Sequence, residues 1–341
     1  MGRPQNSRRD VTTWLKGVAI LSVLTNHFLD VYITKAFSGY ANGIISLFFI
    51  ISGCNMYFSL EQHRHVNLSS VTYFFLKRFF RIYPLFWLSF VLVCVYHHRL
   101  YPAVTFFLPN FRTMITYWFI NALIQCYLIA PLLYLFLRRY GVVKYSVGVT
   151  IVILFLNIYP SFSSITNEVF FVKYKWLFML HILLFAIGMT FPLIIRRIER
   201  SMAIDNKIVI LSLVVFLVFV HLTRHRGIVS PNAYLIFVPL FVLSALWFCF
   251  CAILNFSIPS FRWVFVGIGT YSYSLYLFHF DYFFLLKRMG LVSQNNFMSM
   301  MSVLICFPIF CTFCYFLETY VGKATSFLLS KTDGFAGLKG A

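Results

Sequence analysis

Three histidines, His27, His181 and His279, sit in stretches where nearly every neighbour is apolar. So do three acids, Asp30, Asp281 and Glu318, the last near the end of its stretch. A polar group in such surroundings is costly and marks a functional site by default. Imidazole exchanges a proton near neutral pH, so it can take the proton of a hydroxyl or carry an acyl group itself. His27 has Lys16 eleven residues before it and Asp30 three residues after it. At about 100° per residue, Lys16 and His27 leave a helix from one face, about 16 Å apart along its axis. Asp30 falls on the same side, where a carboxylate can fix the imidazole tautomer and raise its basicity. The other reading is a packed histidine bonded to a backbone carbonyl of the next helix, with Asp30 at the headgroups. Spacing alone leaves both open.

Four further groups have chemistry in them. Arg78 and Arg81 are three apart and share a helix face, where a guanidinium pair can hold phosphate oxygens or simply anchor a helix at a membrane surface. Tyr117, Asn121 and Gln125 recur every four residues as a polar stripe. Such a stripe can bond a hydroxylated acceptor or a developing oxyanion, or join two helices. Ser52-Gly53 closes the apolar run Phe48-Phe49-Ile50-Ile51; glycine there permits close packing, and Ser52 is a candidate site hydroxyl. In the run Gly269-Thr270-Tyr271-Ser272-Tyr273-Ser274, small and hydroxylated residues lead towards His279. Asp281 lies on another face from His279 and is the weaker partner for it.

These residues need a frame, and composition supplies it. Of 341 residues 61% are hydrophobic and 11% charged, against about half and a quarter in a soluble chain. Apolar spans of roughly 20 residues recur along the whole length. They fall near 11–33, 42–60, 79–97, 115–137, 143–159, 174–195, 207–223, 233–256, 262–286 and 299–321. Backbone satisfaction in lipid requires helices or a closed barrel, and spans this long exclude strands. The expectation is an all-α, polytopic membrane protein of about ten transmembrane helices forming one domain over 1–341. Lys and Arg are twice as frequent in one alternate set of connections as in the other, which places both termini in the cytoplasm. On this frame Lys16 and the Arg78/Arg81 pair lie near the inner surface, while His27 and His279 lie level in the outer half. The segment 98–114 is amphipathic enough to lie on or dip into the outer face, and the stretch around 160–172 is the longest outer connection.

The net charge of +19 sits between the spans, where it reads as topology signal and as a partner for anionic lipid, not nucleic acid. All eight cysteines lie in apolar runs; Cys311 and Cys314 have CxxC spacing but no second ligand pair, so no metal site is expected. The arginines ahead of the first span imitate a signal peptide. That span is long and carries His27 and Asp30, so it is expected to stay as a permanent helix.

The motifs, taken in order, resemble those of the acyltransferase 3 family of integral membrane acyltransferases. A basic residue, ten others and a histidine correspond to Lys16 and His27, with Lys where Arg is common. An F-F-x-x-S-G pattern corresponds to Phe48 through Gly53, and R-x-x-R-I-x-P to Arg78 through Pro84. A W-F…Y-L-x-x-P pattern corresponds to Trp118-Phe119…Tyr127-Leu128…Pro131, and S-Y-S-L-Y-L-x-H to Ser272 through His279. Many relatives carry a Glu pair where this chain has Leu123 and Ile124, so no carboxylate role carries over there.

The resemblance implies transfer of an acyl group, usually acetyl, from a cytoplasmic acyl-CoA to a hydroxyl of a carbohydrate at the outer face. Acceptors of that kind include lipopolysaccharide, capsule or exopolysaccharide units, peptidoglycan and lipid-linked sugars, in the inner membrane of a bacterium. Acetyl-CoA is then a co-substrate, with no bound cofactor. Lys16, Arg78 and Arg81 would gather its phosphates, and its pantetheine arm would thread between helices. His27 would act as general base or acyl carrier with Asp30 orienting it, and Ser52, Tyr117, Asn121, Gln125 or His279 would meet the acceptor or oxyanion. The rival reading is a transporter or flippase for lipid-linked sugars, which needs as many helices. Against it, the sequence shows no internal repeat and no paired Gly/Pro-broken spans. A non-enzymatic scaffold would leave His27 and His279 without a purpose.

Overall fold

The computed structural model describes residues 5–33, 40–62, 68–98, 106–107, 117–158, 175–198, 205–224, 231–254, 262–292 and 297–333. All regular structure among them is helical. In chain order the helices are α1 (Gln5–Phe28), continued by a π-helical turn (Leu29–Ile33), α2 (Tyr40–Ile44), α3 (Ser46–Glu61), α4 (Leu68–His97), α5 (Trp118–Ile158) and α6 (Lys175–Gly188). They continue as α7 (Phe191–Ile198), α8 (Asn206–Arg224), α9 (Pro231–Leu254), α10 (Arg262–Thr270), α11 (Ser272–Arg288) and α12 (Phe297–Asp333). Helical chain occupies each expected span. Three helical stretches, 69–96, 118–152 and 298–330, are long and apolar enough to cross a bilayer. Along α12, Leu304, Ile305, Ile309, Phe313 and Tyr320 are all exposed. An open apolar face of that length needs lipid to cover it. The chain is an all-α membrane protein.

Helix ends and breaks depart from hydropathy in instructive ways. α4 begins at Leu68 and α12 runs to Asp333, well outside the expected 79–97 and 299–321. Hydropathy marks where lipid begins, and a helix is free to continue into the headgroups. Three expected spans are interrupted, at Ile45, at Met189–Thr190 and at Tyr271. At the second, Pro192 has no N–H to give, and Thr190 turns its hydroxyl onto the Ile187 carbonyl at 2.7 Å. At the third, the Thr270 hydroxyl bonds the Gly267 carbonyl at 2.5 Å. Within α5, Gly141 takes φ 72° and ψ 172°, a conformation open to glycine alone. That break falls in the connection expected between 137 and 143.

The chain forms two compact units. The first comprises 1–55 and 187–312, the second 56–186 and 313–341. In the first, α1 and α10 meet backbone to backbone. A Cβ at Gly17 would strike the Phe265 carbonyl, and one at Gly269 the Thr13 carbonyl. Gly188 comes as close to the Ile50 carbonyl of α3. Phe216 of α8 lies between Phe241 and Phe248 of α9, and Tyr282 of α11 stacks on Phe310 of α12. Tyr40 of α2 bonds the His221 ring of α8.

In the second unit α4 and α5 join through the Ser89 and Tyr117 hydroxyls at 2.8 Å. Tyr134 of α5 donates to Glu61 at 2.7 Å, and Tyr145 to the Ala186 carbonyl at 3.2 Å. The described part of the amphipathic segment, Phe106–Phe107, doubles back along α4. Its carbonyls accept from Trp87 Nε1 at 2.9 Å and the Tyr83 hydroxyl at 2.7 Å. Tyr83 lies about 21 Å along the helix from His97. The loop around 160–172 lies outside the described residues.

Candidate active site

The first unit brings His27 and His279 together. Their rings stack with centroids 5.2 Å apart and planes inclined by 24°. Phe280 packs on both rings, and Phe283 sits over Phe28 and Tyr32 one turn on. The order of contacts along the chain explains the pairing. Gly17 and Gly269 mark the tight crossing, and ten residues further along each chain the two histidines meet. α1 therefore runs parallel to α10 and α11, and the equal counts place both rings at one level. The absence of a Cβ at the two glycines is what lets the backbones come close enough for the rings to touch.

His27 is half-buried, while His279 is 2% exposed. His279 Nδ1 lies 2.6 Å from the Tyr276 carbonyl oxygen. A carbonyl only accepts, so Nδ1 carries the hydrogen and Nε2 keeps its lone pair. Nε2 is buried and bonds no described residue. Asp30 lies in the π-helical turn that follows α1, close enough for its carboxylate to act electrostatically on the His27 ring. Apolar spacing over 11–33 predicts one continuous helix. The wider turn there is a feature common at functional sites, and apolar spacing carries no sign of it. Asn26, beside His27, accepts from the Ala41 N–H at 2.9 Å and ties α2 to α1. Lys16 is half-buried on the same helix, within electrostatic range of Cys54 on α3. Ser52 is buried on α3.

The second unit holds the remaining candidates. Arg78 is 9% exposed. Its guanidinium lies over the Phe74 ring at 5.3 Å and the Tyr127 ring at 5.7 Å, and Nη2 donates to the Ser59 hydroxyl at 2.7 Å. Nε is buried without a partner among the described residues. Arg81 is exposed, so the two arginines part company: one enters an aromatic cage and the other faces out. Phe74 stands one turn before Arg78 on α4, a spacing the sequence carries, whereas Ser59 on α3 and Tyr127 on α5 share no spacing with it. Tyr117 is buried and engaged with Ser89. Asn121 is buried and accepts from Gln125 at 3.0 Å. The stripe thus bonds within α5 and to α4. His181, the third histidine of the apolar spans, is buried against Trp118 at 5.5 Å.

Comparison with known proteins supplies the chemistry that such a site serves. The model of the acyltransferase 3 family, described as an acyltransferase domain, matches residues 12–319, which takes in every candidate site residue from Lys16 to His279. No curated protein and no solved structure matches the chain. A match over nine-tenths of the sequence, on an all-helical membrane scaffold with a stacked histidine pair, settles the affiliation: the chain belongs to the acyltransferase 3 family and is an acyl-transferring membrane enzyme.

Proposed function

We propose that the protein moves an acyl group, acetyl in the first instance, from cytoplasmic acyl-CoA to a hydroxyl of a cell-surface or lipid-linked carbohydrate. It does so in the inner membrane of a bacterium, crossing it many times with both termini in the cytoplasm. The observation that carries this reading is the His27–His279 stack, two imidazoles held together on membrane helices by a glycine crossing. An acceptor hydroxyl attacks a thioester only as it loses its proton, and an imidazole is the group suited to take that proton at neutral pH. His27 is that base, with the Asp30 carboxylate favouring the charged ring that results.

Arg78 supports the donor assignment. A buried guanidinium against two aromatic rings, with one hydroxyl partner and an Nε–H that meets no acceptor among the described residues, suits an anion. The phosphates of CoA have the matching charge and geometry. Arg81 and Lys16 add positive charge for the same donor. Ser52, Tyr117, Asn121 and Gln125 are assigned to the acceptor or to the tetrahedral oxyanion. Asn121 and Gln125 each have hydrogen-bonding capacity beyond the one bond they share. The transport reading has no support in an acyltransferase family.

The test uses purified protein and radiolabelled acetyl-CoA, together with mass spectrometry of surface carbohydrate from cells with and without the gene. The expected result is loss of one acetyl mass per modified sugar in the deletion. Restoration follows from the wild-type gene and not from His27→Ala, which inserts normally but transfers about 10²–10⁴-fold more slowly. A purified protein that neither binds nor cleaves acetyl-CoA overturns the reading.

A further inference from the structure

His279 Nε2, whose lone pair meets no donor among the described residues, is the most unusual atom in the site. A buried acceptor with no partner is rare in a folded protein and persists where another molecule completes it. Its ring cannot flip to hide the lone pair without breaking the Nδ1–H bond to the Tyr276 carbonyl. Phe280 and the His27 ring hold it from the sides. Position, tautomer and orientation are therefore all fixed on an atom that is, chemically, a nucleophile. The overall reaction asks for one. A large anionic donor arrives from one side of the membrane and a carbohydrate from the other, and a covalent stop lets the first leave before the second reacts.

Building on the acyl-transfer reading above, we propose that His279 Nε2 is the acyl carrier and His27 the base that discharges it. In the first half-reaction Nε2 attacks the thioester carbonyl, an N–C bond forms, and the C–S bond breaks. CoA leaves as the thiolate, and the ring becomes an N-acyl imidazolium still carrying its Nδ1 hydrogen. The Tyr276 carbonyl, already accepting that hydrogen, faces the new positive charge and lowers its cost. In the second half-reaction the acceptor hydroxyl attacks the acyl carbon while its proton passes to His27. An O–C bond forms, the N–C bond breaks, and His279 regains its lone pair. The proton on His27 returns to the thiolate pool, so the sum is acyl-CoA and alcohol to ester and CoA.

The experiment incubates purified protein with [¹⁴C]acetyl-CoA and no acceptor, then digests it and locates the label. It also follows exchange of labelled CoA into acetyl-CoA under the same conditions. The expected result is label on the peptide carrying His279, exchange without acceptor, and parallel initial-rate lines when both substrates vary. His27→Ala keeps label and exchange but loses transfer. His279→Gln and His279→Asn lose label, exchange and transfer together, the last by about 10³-fold or more. His279→Asn keeps an N–H for the Tyr276 carbonyl, so its loss is not a loss of packing. Label on His27, intersecting lines with no exchange, or undiminished transfer by His279→Asn overturns the proposal while leaving acyl transfer by the wild type intact. A wild type that transfers nothing defeats the underlying reading instead.

Discussion

The Arg78 guanidinium lies against two aromatic rings, and its flatness is the property to test. A lysine keeps the charge but cannot lay a planar cation on Phe74 and Tyr127 or present two parallel N–H groups. Arg78→Lys is therefore expected to raise KM for acyl-CoA by about tenfold or more, which corresponds to the 1–2 kcal/mol of a desolvated cation–π pair, with a smaller effect on kcat. Steady-state kinetics with the donor varied checks it, and an unchanged donor KM would remove Arg78 from donor binding. At this scale the sequence was informative where one helix sufficed. The equal spacing from Gly17 to His27 and from Gly269 to His279 stands in the sequence, though the break at Tyr271 inside the second interval does not. The surroundings of Arg78 do so only for Phe74, one turn away on α4; Ser59 on α3 and Tyr127 on α5 are paired with it by nothing in a single sequence. The divergence of Arg78 from Arg81 was equally hidden: a spacing of three puts two residues on a face about 60° wide, which spans both a buried and an open position.

Among the elements, the crossing of α1 and α10 and the break at Gly141 make opposite predictions about glycine. Gly17→Ala places a methyl group on the Phe265 carbonyl, and backbone cannot step aside as a side chain can. It is expected to lower stability by about 1–3 kcal/mol and to cost activity as well, because the histidines depend on that crossing. Gly141→Ala meets no atom within 4 Å, yet its φ of 72° penalises any side chain. It is expected to lower stability by about 1–3 kcal/mol and leave transfer intact. Thermal unfolding in detergent alongside an activity assay separates the two. Most elements were legible, since apolar runs of this length admit only helix. The breaks at Ile45 and Tyr271 were not, because hydropathy is blind to whether an apolar residue is helical. The Gly141 break was legible because Arg138 and Arg139 stand beside it and lipid does not tolerate them.

For the molecule as a whole, the asymmetry of Lys and Arg predicts sidedness. A fluorescent reporter fused after Ala341 is expected to fold and glow in the cytoplasm, and an alkaline phosphatase fused within 160–172 to be active outside. The reverse pattern would place the Lys16 end of α1 on the wrong side for a cytoplasmic donor. Charge counting reaches this far because it concerns the chain's insertion and not its packing. It says nothing about the division into two compact units, each assembled from distant parts of the sequence.

The matched stretches from Gly17 to His27 and from Gly269 to His279 act as two rulers laid from a common mark. One residue added between 18 and 26 would swing the His27 ring about 100° away from its partner and lift it about 1.5 Å. Substitutions there can be absorbed one at a time; a change of length cannot, because a matching insertion in the other ruler restores the level and not the facing. Among homologous chains, gaps in these two intervals should therefore be absent, whatever happens in the loops between.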